Sequence, residues 1–315
     1  MVNLGIFTLI LILFYLLGKA AELTIDSIKK IGKKLGIKIF FLGLLLGVFT
    51  SLPELAIGIN TLINNVQEIS LGNLLGGLMV LFGLILGISL ILNRKIETDG
   101  RVINFLPILI YLILPVLFGL DGKIGFIDGI ILVAAYFSLL YYLYKKHKNS
   151  NPIHFEFIRN GKILKDLFLV LLGLILIIVF SNLIVRLTAI LLNNFDIPGF
   201  IIGLVLFSIG TNLPEIIVTI QSWRKNIKEL SISNLVGSAM ANILIIGIFS
   251  VIKTLSTEIN LGYYMLLFFL FVLFLSLLVF YKTKKEFSRS EGIFLLCIYF
   301  LFLSSQLIFL VYLAS

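Results

Sequence analysis

Two short groups of residues in this chain have the types and spacing to do chemistry: "TSLPE" at Thr50 to Glu54 and "TNLPE" at Thr211 to Glu215. Each lies inside an apolar stretch long enough to cross a bilayer. A carboxylate at membrane depth is costly, so one that is retained there faces a partner, a cavity or an ion. The prolines add a second ingredient. Pro53 and Pro214 lack an N–H and clash with the preceding turn, which predicts that the carbonyls of Phe49 and Gly210, four residues back, lose their usual donors. Hard cations prefer carboxylate and carbonyl oxygens together. Glu54 and Glu215, each beside freed carbonyls, are therefore candidate cation ligands.

The elements that must position these residues are membrane helices. Of 315 residues, 60% are hydrophobic and 13% charged, and the mean hydropathy is +1.14. Apolar runs of about 20 residues recur along the chain, more than a soluble fold could bury. The pattern predicts ten spans, at 4–28, 39–63, 70–93, 102–119, 124–145, 163–192, 199–222, 231–253, 260–281 and 292–313. The first span has no basic leader or small-residue cleavage pattern and is expected to be retained as a helix. Cys297 is the only cysteine, so no disulfide can form within one chain.

A net charge of +9 could suggest nucleic acid, but the basic residues follow the membrane instead. Alternate loops carry almost all of them: Lys29 to Lys38, Arg94 to Arg101, Lys145 to Lys165, Arg224 to Lys228, and Lys282 to Arg289. The opposite loops hold only Lys123 and Lys253, while Lys19 and Arg186 fall within spans. By the positive-inside rule both termini are expected outside the cytoplasm. Lys19 and Glu22 are one turn apart, as in a local pair, and Arg186 reads as an anchor that snorkels or meets Asp26 or Asp196.

The polar stretch "KKHKNSNPIHFEFIRNGK", Lys145 to Lys162, separates two five-span halves. We expect a first repeat at 1–146, a cytoplasmic linker at 147–162 and a second repeat at 163–315. At a constant offset of 161, residues 50–76 match 211–237 not only at Thr50/Thr211, Pro53/Pro214 and Glu54/Glu215. Asn65/Asn226, Glu68/Glu229, Ser70/Ser231, Asn73/Asn234 and Gly76/Gly237 are also identical. Several of these are polar, so shared greasiness does not explain them. An odd number of spans per half inverts the second copy, and inverted repeats with a midplane site on interrupted helices characterise alternating-access transporters. The expected fold is thus an all-α membrane protein of ten transmembrane helices in two inverted five-helix repeats.

"TSLPE" followed by "GNLLGG" at Gly72 to Gly77, and "GTNLPE" followed by "SNLVGSAMAN" at Ser233 to Asn242, resemble the two alpha-repeats of the cation/calcium antiporter superfamily, in its sodium/calcium exchanger branch. The resemblance implies that helices two, three, seven and eight surround the ions while helices one and six slide as a gate. It implies Glu54 and Glu215 as paired calcium ligands, backbone oxygens from Thr50 and Thr211, and Ser51, Asn212 and Ser238 as neutral neighbours. Asn73, Asn234 and Asn242 complete the candidate metal-binding set. The transported ions would be calcium and sodium, with no cofactor, in the cell membrane of a prokaryote.

The chain departs from the family pattern where coupling chemistry is expected. Leu81 stands where the family has an asparagine, Gly77 where it has a serine, and Asn242 where it has an aspartate. "GVFTSLPE" carries Phe49 in place of a glycine and is one residue shorter than its counterpart, measured from Gly43 and Gly203. The calcium carboxylates are retained while much of the sodium site is altered, which leaves proton coupling as an alternative.

Other readings of these residues are blander. A proline can serve only as a kink; Asn73 and Asn234 can act as interhelical glue, and Gly72, Gly76 and Gly77 can serve close packing. Enzyme chemistry is not expected, since His147 and His154 lie in the polar linker and no HExxH motif, Cys/His cluster or phosphate loop occurs. A cation pore or a non-transporting homologue is the rival from a different class. The expected partners are the lipid bilayer and the transported cations, with no nucleic acid.

Overall fold

A computed structural model of the chain describes residues 2–35, 39–63, 65–93, 95–97, 102–147, 163–192, 199–224, 227–257, 259–283 and 286–314. The linker expected at 147–162 lies outside the described residues apart from His147, as do Asn64, His154, Asp196 and Asn226.

The first half of the chain forms α1 (Val2–Leu35), α2 (Ile39–Thr50), α3 (Leu52–Ile63) and α4 (Gln67–Met79), then a π-helical turn (Val80–Ile85) that runs into α5 (Leu86–Asn93). Strand β1 (Lys95–Glu97) leads to α6 (Val102–Phe118), a 3-10 turn (Gly119–Asp121), β2 (Lys123–Ile124) and α7 (Phe126–His147). The second half begins with α8 (Ile163–Leu192), α9 (Gly199–Ile201), a second π-helical turn (Ile202–Phe207) and α10 (Ser208–Thr211). It continues as α11 (Leu213–Arg224), α12 (Lys228–Ile252), β3 (Leu255–Ser256), α13 (Leu261–Thr283), β4 (Glu286–Ser288) and α14 (Arg289–Ala314). Among the described residues eight helical stretches are long and apolar enough to cross a membrane, a ninth is broken at Asn212, and α6 supplies a shorter apolar helix. These segments overlap the ranges expected from hydropathy, with eight or nine rather than ten long enough to qualify as spans among the described residues.

Hydropathy did not foretell the two π-helical turns, yet they have a sequence cause. Gly43 and Gly203 stand 160 apart while Thr50 and Thr211 stand 161 apart, so the second copy holds one extra residue in that interval. The π-turn Ile202–Phe207 lies there. Conversely Gly76 and Gly237 are 161 apart while Gly87 and Gly247 are 160 apart, and the first copy's extra residue falls where the π-turn Val80–Ile85 lies. One residue inserted into an α-helix is absorbed as a widened turn that leaves the flanking faces in register.

The helices gather into two compact units, each drawing on both halves of the sequence: 1–53, 148–195 and 210–238 form one, and 54–147, 196–209 and 239–315 the other. In the first unit α1 packs along α8 and against α11, around a core that includes Leu17, Ala21, Ile25, Leu46, Leu174, Ile177, Val218 and Leu230. Small residues bring α1 and α8 together: a Cβ on Gly173 would overlap the Thr24 hydroxyl and come within 3.2 Å of the Ala20 carbonyl. Lys19 and Glu22 form the expected pair at 3.3 Å, and the Arg186 side chain is exposed.

In the second unit α4 packs on the π-turn Ile202–Phe207, α5 on α14, and α13 on α14 and α6. Tyr263, fully buried, donates its hydroxyl to the Val116 carbonyl at 2.7 Å. Two short antiparallel strand pairs tie loops of this unit, β1 with β4 (Lys95 opposite Ser288) and β2 with β3 (Lys123 opposite Ser256). Gly122, at φ 92°, makes the tight turn before β2, a conformation in which a side chain would be strained.

The same close contacts recur at matching positions. In the first unit Gly43 of α2 meets Ser233 and the Leu230 carbonyl of α12, and Gly237 meets Leu44; in the second, Gly203 meets Ile69 and Asn73 of α4, and Gly76 meets Leu204. Gly87 lies against the Gly292 carbonyl and Gly129 against the Gly247 carbonyl. Lipid tails are as apolar as leucine, so close approach of small residues is what holds such helices together.

Candidate functional site

Both repeated motifs break their helices as the prolines require. α2 ends at Thr50 and α3 resumes at Leu52; α10 ends at Thr211 and α11 resumes at Leu213. Ser51 and Asn212 thus occupy the breaks, and Glu54 and Glu215 sit in the first turns that follow. A helix start presents N–H groups without helical partners, a setting favourable to a nearby carboxylate.

All ten residues singled out as ligands are buried: Thr50, Ser51, Glu54, Asn73, Thr211, Asn212, Glu215, Asn234, Ser238 and Asn242 are each no more than 2% exposed. Burial of this many polar side chains in so apolar a chain is an expense that packing alone does not explain.

The first unit brings Thr50, Glu215 and Ser238 together. The Ser238 hydroxyl lies 3.1 Å from Oε1 of Glu215, 3.3 Å from Oγ1 of Thr50 and 3.3 Å from the carbonyl of Gly47. One hydroxyl proton serves one acceptor at a time, so Ser238 can switch between the carboxylate and the carbonyl. Oε2 of Glu215 has no hydrogen-bond partner among the described residues. Both amide atoms of Asn234, one turn earlier on α12, are likewise buried without protein partners.

The Gly47 carbonyl was not legible as part of this group. It accepts from the Ser51 amide at 3.1 Å, the Ser51 hydroxyl at 3.0 Å and the Thr50 hydroxyl at 3.2 Å, in addition to Ser238. The reason is steric: a Cβ on Gly47 would overlap the Ser238 amide nitrogen, so only glycine lets α12 come this close. The signal available in the sequence was the glycine spacing of α2, Gly43 and Gly47.

The second unit holds Glu54, Asn73 and Asn242, all fully or almost fully buried. Both amide atoms of Asn242 lack a partner among the described residues. Leu81 is completely buried and contributes only apolar surface. No cluster of three or more His, Cys, Asp or Glu side chains occurs among the described residues. The oxygen donors assembled here are one carboxylate at a time with hydroxyls, amides and carbonyls, a set suited to hard cations rather than to zinc or copper.

Comparison with known proteins agrees with this chemistry. The family model described as sodium/calcium exchanger protein matches residues 5–145 and 165–308. The sodium/calcium exchanger MaX1 of Methanosarcina acetivorans is 27% identical over 348 aligned positions, covering 94% of this chain and 97% of that protein. An uncharacterized membrane protein of Methanocaldococcus jannaschii is 28% identical over 243, covering 76% of this chain and 78% of that one. A solved structure of the sodium-calcium exchanger NCX_Mj superimposes with a TM-score of 0.78 at 26% identity, covering 96% of this chain and 98% of that one. Two family-matched blocks that together take in nearly the whole chain, including both proline-glutamate motifs, leave one conclusion: this protein belongs to the sodium/calcium exchanger family of membrane antiporters.

Proposed function

We propose that this protein exchanges calcium for sodium by alternating access, with Glu54 and Glu215 as the ligating carboxylates. The observation that carries the reading is the Thr50, Ser238 and Glu215 group around the Gly47 carbonyl. It places a buried carboxylate oxygen beside hydroxyl and carbonyl oxygens at a helix break. Two ionised carboxylates balance one divalent ion, and neutral oxygens complete its shell. Asn73, Asn234, Asn242, Thr211, Ser51 and Asn212 supply those neutral oxygens in this reading.

The protein is built in this proposal as two inverted repeats, 1–146 and 163–315, joined by a cytoplasmic linker at 147–162, with both termini outside a prokaryotic cell membrane. The strand pairs support that arrangement, since each joins loops assigned to the same side: β1 with β4 in basic loops, and β2 with β3 in the loops of Lys123 and Lys253. Lys253 also donates to Asn65 at 2.5 Å, and Ser256 to Glu68 at 3.0 Å, again between loops assigned to one side. Cysteines placed at Asn149 and Asn64 and labelled in intact cells test the orientation; external labelling at Asn149 would reverse it.

Proton coupling is the second reading, favoured by the neutral Asn242 and apolar Leu81. Calcium uptake into reconstituted vesicles under separately imposed sodium and proton gradients decides between them. A pore would conduct with no counter-ion gradient at all, and a scaffold would show no flux.

A further inference from the structure

Helix α11 carries a stripe of buried polar groups that no ion ligand accounts for. Glu215, Thr219 and Ser222 recur at four- and three-residue spacing and share one face, with Trp223 at its edge. On α12, Ser231, Asn234 and Ser238 share one face by the same rule. The two stripes meet at one end through the hydrogen bond from Ser238 to Glu215 at 3.1 Å. At the other end the chain turns toward α12, with the Ile227 amide in the connection donating to the Ser222 carbonyl at 2.8 Å. The run from Glu215 to Ser222 is about 10 Å at the rise of an α-helix.

Three hydroxyls on this track differ from most buried hydroxyls among the described residues. Buried or partly buried Thr24, Ser208, Ser250 and Ser276 each donate to the carbonyl four residues back. Thr219, Ser222 and Ser231 do not. Their oxygens, the Trp223 Nε1 and the Asn234 amide atoms have no partner among the described residues, although all five side chains are buried. Polar groups at membrane depth are tolerated when they line a hydrated cavity or an ion path. The opposite side of α11 is ordinary core, with Leu213 in the cluster and Ile217 packed against it.

In the second unit the counterparts of Ser231 and Asn234 are kept as Ser70 and Asn73, the buried Ser70 hydroxyl likewise having no partner among the described residues, but the counterparts of the α11 stripe are lost. Gly58 stands where the other copy has Thr219, Thr61 where it has Ser222, and Leu62 where it has Trp223. A Cβ on Gly58 would overlap the buried Phe249 ring, and the Thr61 hydroxyl is spent on the Gly58 carbonyl at 2.9 Å. There the turn that follows Glu54 is closed by an aromatic ring.

We propose that the paired faces of α11 and α12 form the access route by which a hydrated cation passes between Glu215 and the Arg224 end. In it Thr219, Ser222 and Ser231 stand in for part of the ion's water shell. The proposal rests on the exchange reading above for the identity of the ion, but its structural content does not depend on which ions are coupled. By the charge rule the Arg224 end is cytoplasmic.

Single cysteines in a Cys297→Ala background test it, with a charged, membrane-impermeant methanethiosulfonate applied to either side of reconstituted vesicles. Lys225→Cys reports which side carries the Arg224 loop, and Ile217→Cys reports the core face. Thr219→Cys and Ser222→Cys are expected to react from the same side as Lys225→Cys, at least tenfold faster than Ile217→Cys. Reaction no faster than Ile217→Cys, or from the opposite side, overturns the route. If either cysteine variant loses its native size-exclusion profile, Thr219→Val with Ser222→Ala decides instead. Calcium flux through that side should fall about tenfold while equilibrium calcium binding is unchanged, and wild-type flux overturns the route. Labelling that follows the expected pattern in a protein showing no sodium-driven calcium flux would keep the route and defeat the exchange reading.

Discussion

Ser238 donates to Glu215 at 3.1 Å while remaining within 3.3 Å of the Gly47 carbonyl, so one hydroxyl on α12 links the carboxylate to the backbone of α2. Ser238→Ala removes both links. A single hydrogen bond to a charged group is worth about 1.5–3 kcal/mol, and water replaces part of it, so calcium affinity should fall about tenfold with the fold intact. Calorimetric titration of the purified variant with calcium measures this, and unchanged affinity would place Ser238 outside the ion site.

The carboxylates themselves should be far less forgiving. Glu54→Gln and Glu215→Gln each keep the shape of the side chain but leave a divalent ion one charge short in a poorly screened setting, a loss of several kcal/mol in order of magnitude. Each is expected to abolish calcium flux while the purified protein keeps its helical content and thermal transition. Wild-type flux in either would sink the assignment of that residue.

Gly47 and Gly203 are expected to tolerate no side chain. A Cβ at Gly47 would overlap the Ser238 amide, and at Gly203 it would overlap the Ile69 carbonyl; both are backbone atoms that cannot rotate aside. Gly47→Ala and Gly203→Ala should each cost about 2 kcal/mol or more, read as a lowered thermal transition in detergent. Gly18→Ala, where nothing lies within 4 Å of the added carbon, is the control and should be neutral or slightly stabilising.

The coupling ion is where this chain's residues depart from its family. Leu81 is buried and apolar and Asn242 is buried and neutral, so sodium should bind more weakly than an amide and an aspartate would allow. The double change Leu81→Asn with Asn242→Asp introduces both oxygens. It should steepen the dependence of calcium efflux on external sodium, measured at fixed pH with the membrane potential clamped. An active double variant with unchanged sodium dependence would contradict the mapping of these two positions.

Much of this architecture is written in the sequence, and particular residues show why the rest is not. Long apolar runs at fixed spacing disclose the helices, and the 161-residue offset of "TSLPE" and "TNLPE" discloses the duplicated site. The π-turns at Val80–Ile85 and Ile202–Phe207 escape hydropathy because a one-residue insertion changes no composition. They surface only when the offset is followed past Gly87 and back to Gly43. The Gly47 carbonyl escapes because its contribution is a backbone atom, exposed to α12 by the lack of a side chain. Thr219, Ser222 and Ser231 escape because isolated hydroxyls in apolar helices usually bond their own preceding turn. Only the structure shows that these do not.

The most direct test of exchange is calcium uptake into proteoliposomes loaded with sodium and diluted into sodium-free buffer, with pH equal on both sides and the potential clamped. Uptake should rise well above that of vesicles without a sodium gradient, and it should be lost in Glu54→Gln and Glu215→Gln. Uptake that ignores the sodium gradient but follows an imposed proton gradient, or that needs no gradient at all, would contradict sodium/calcium exchange as the function of this protein.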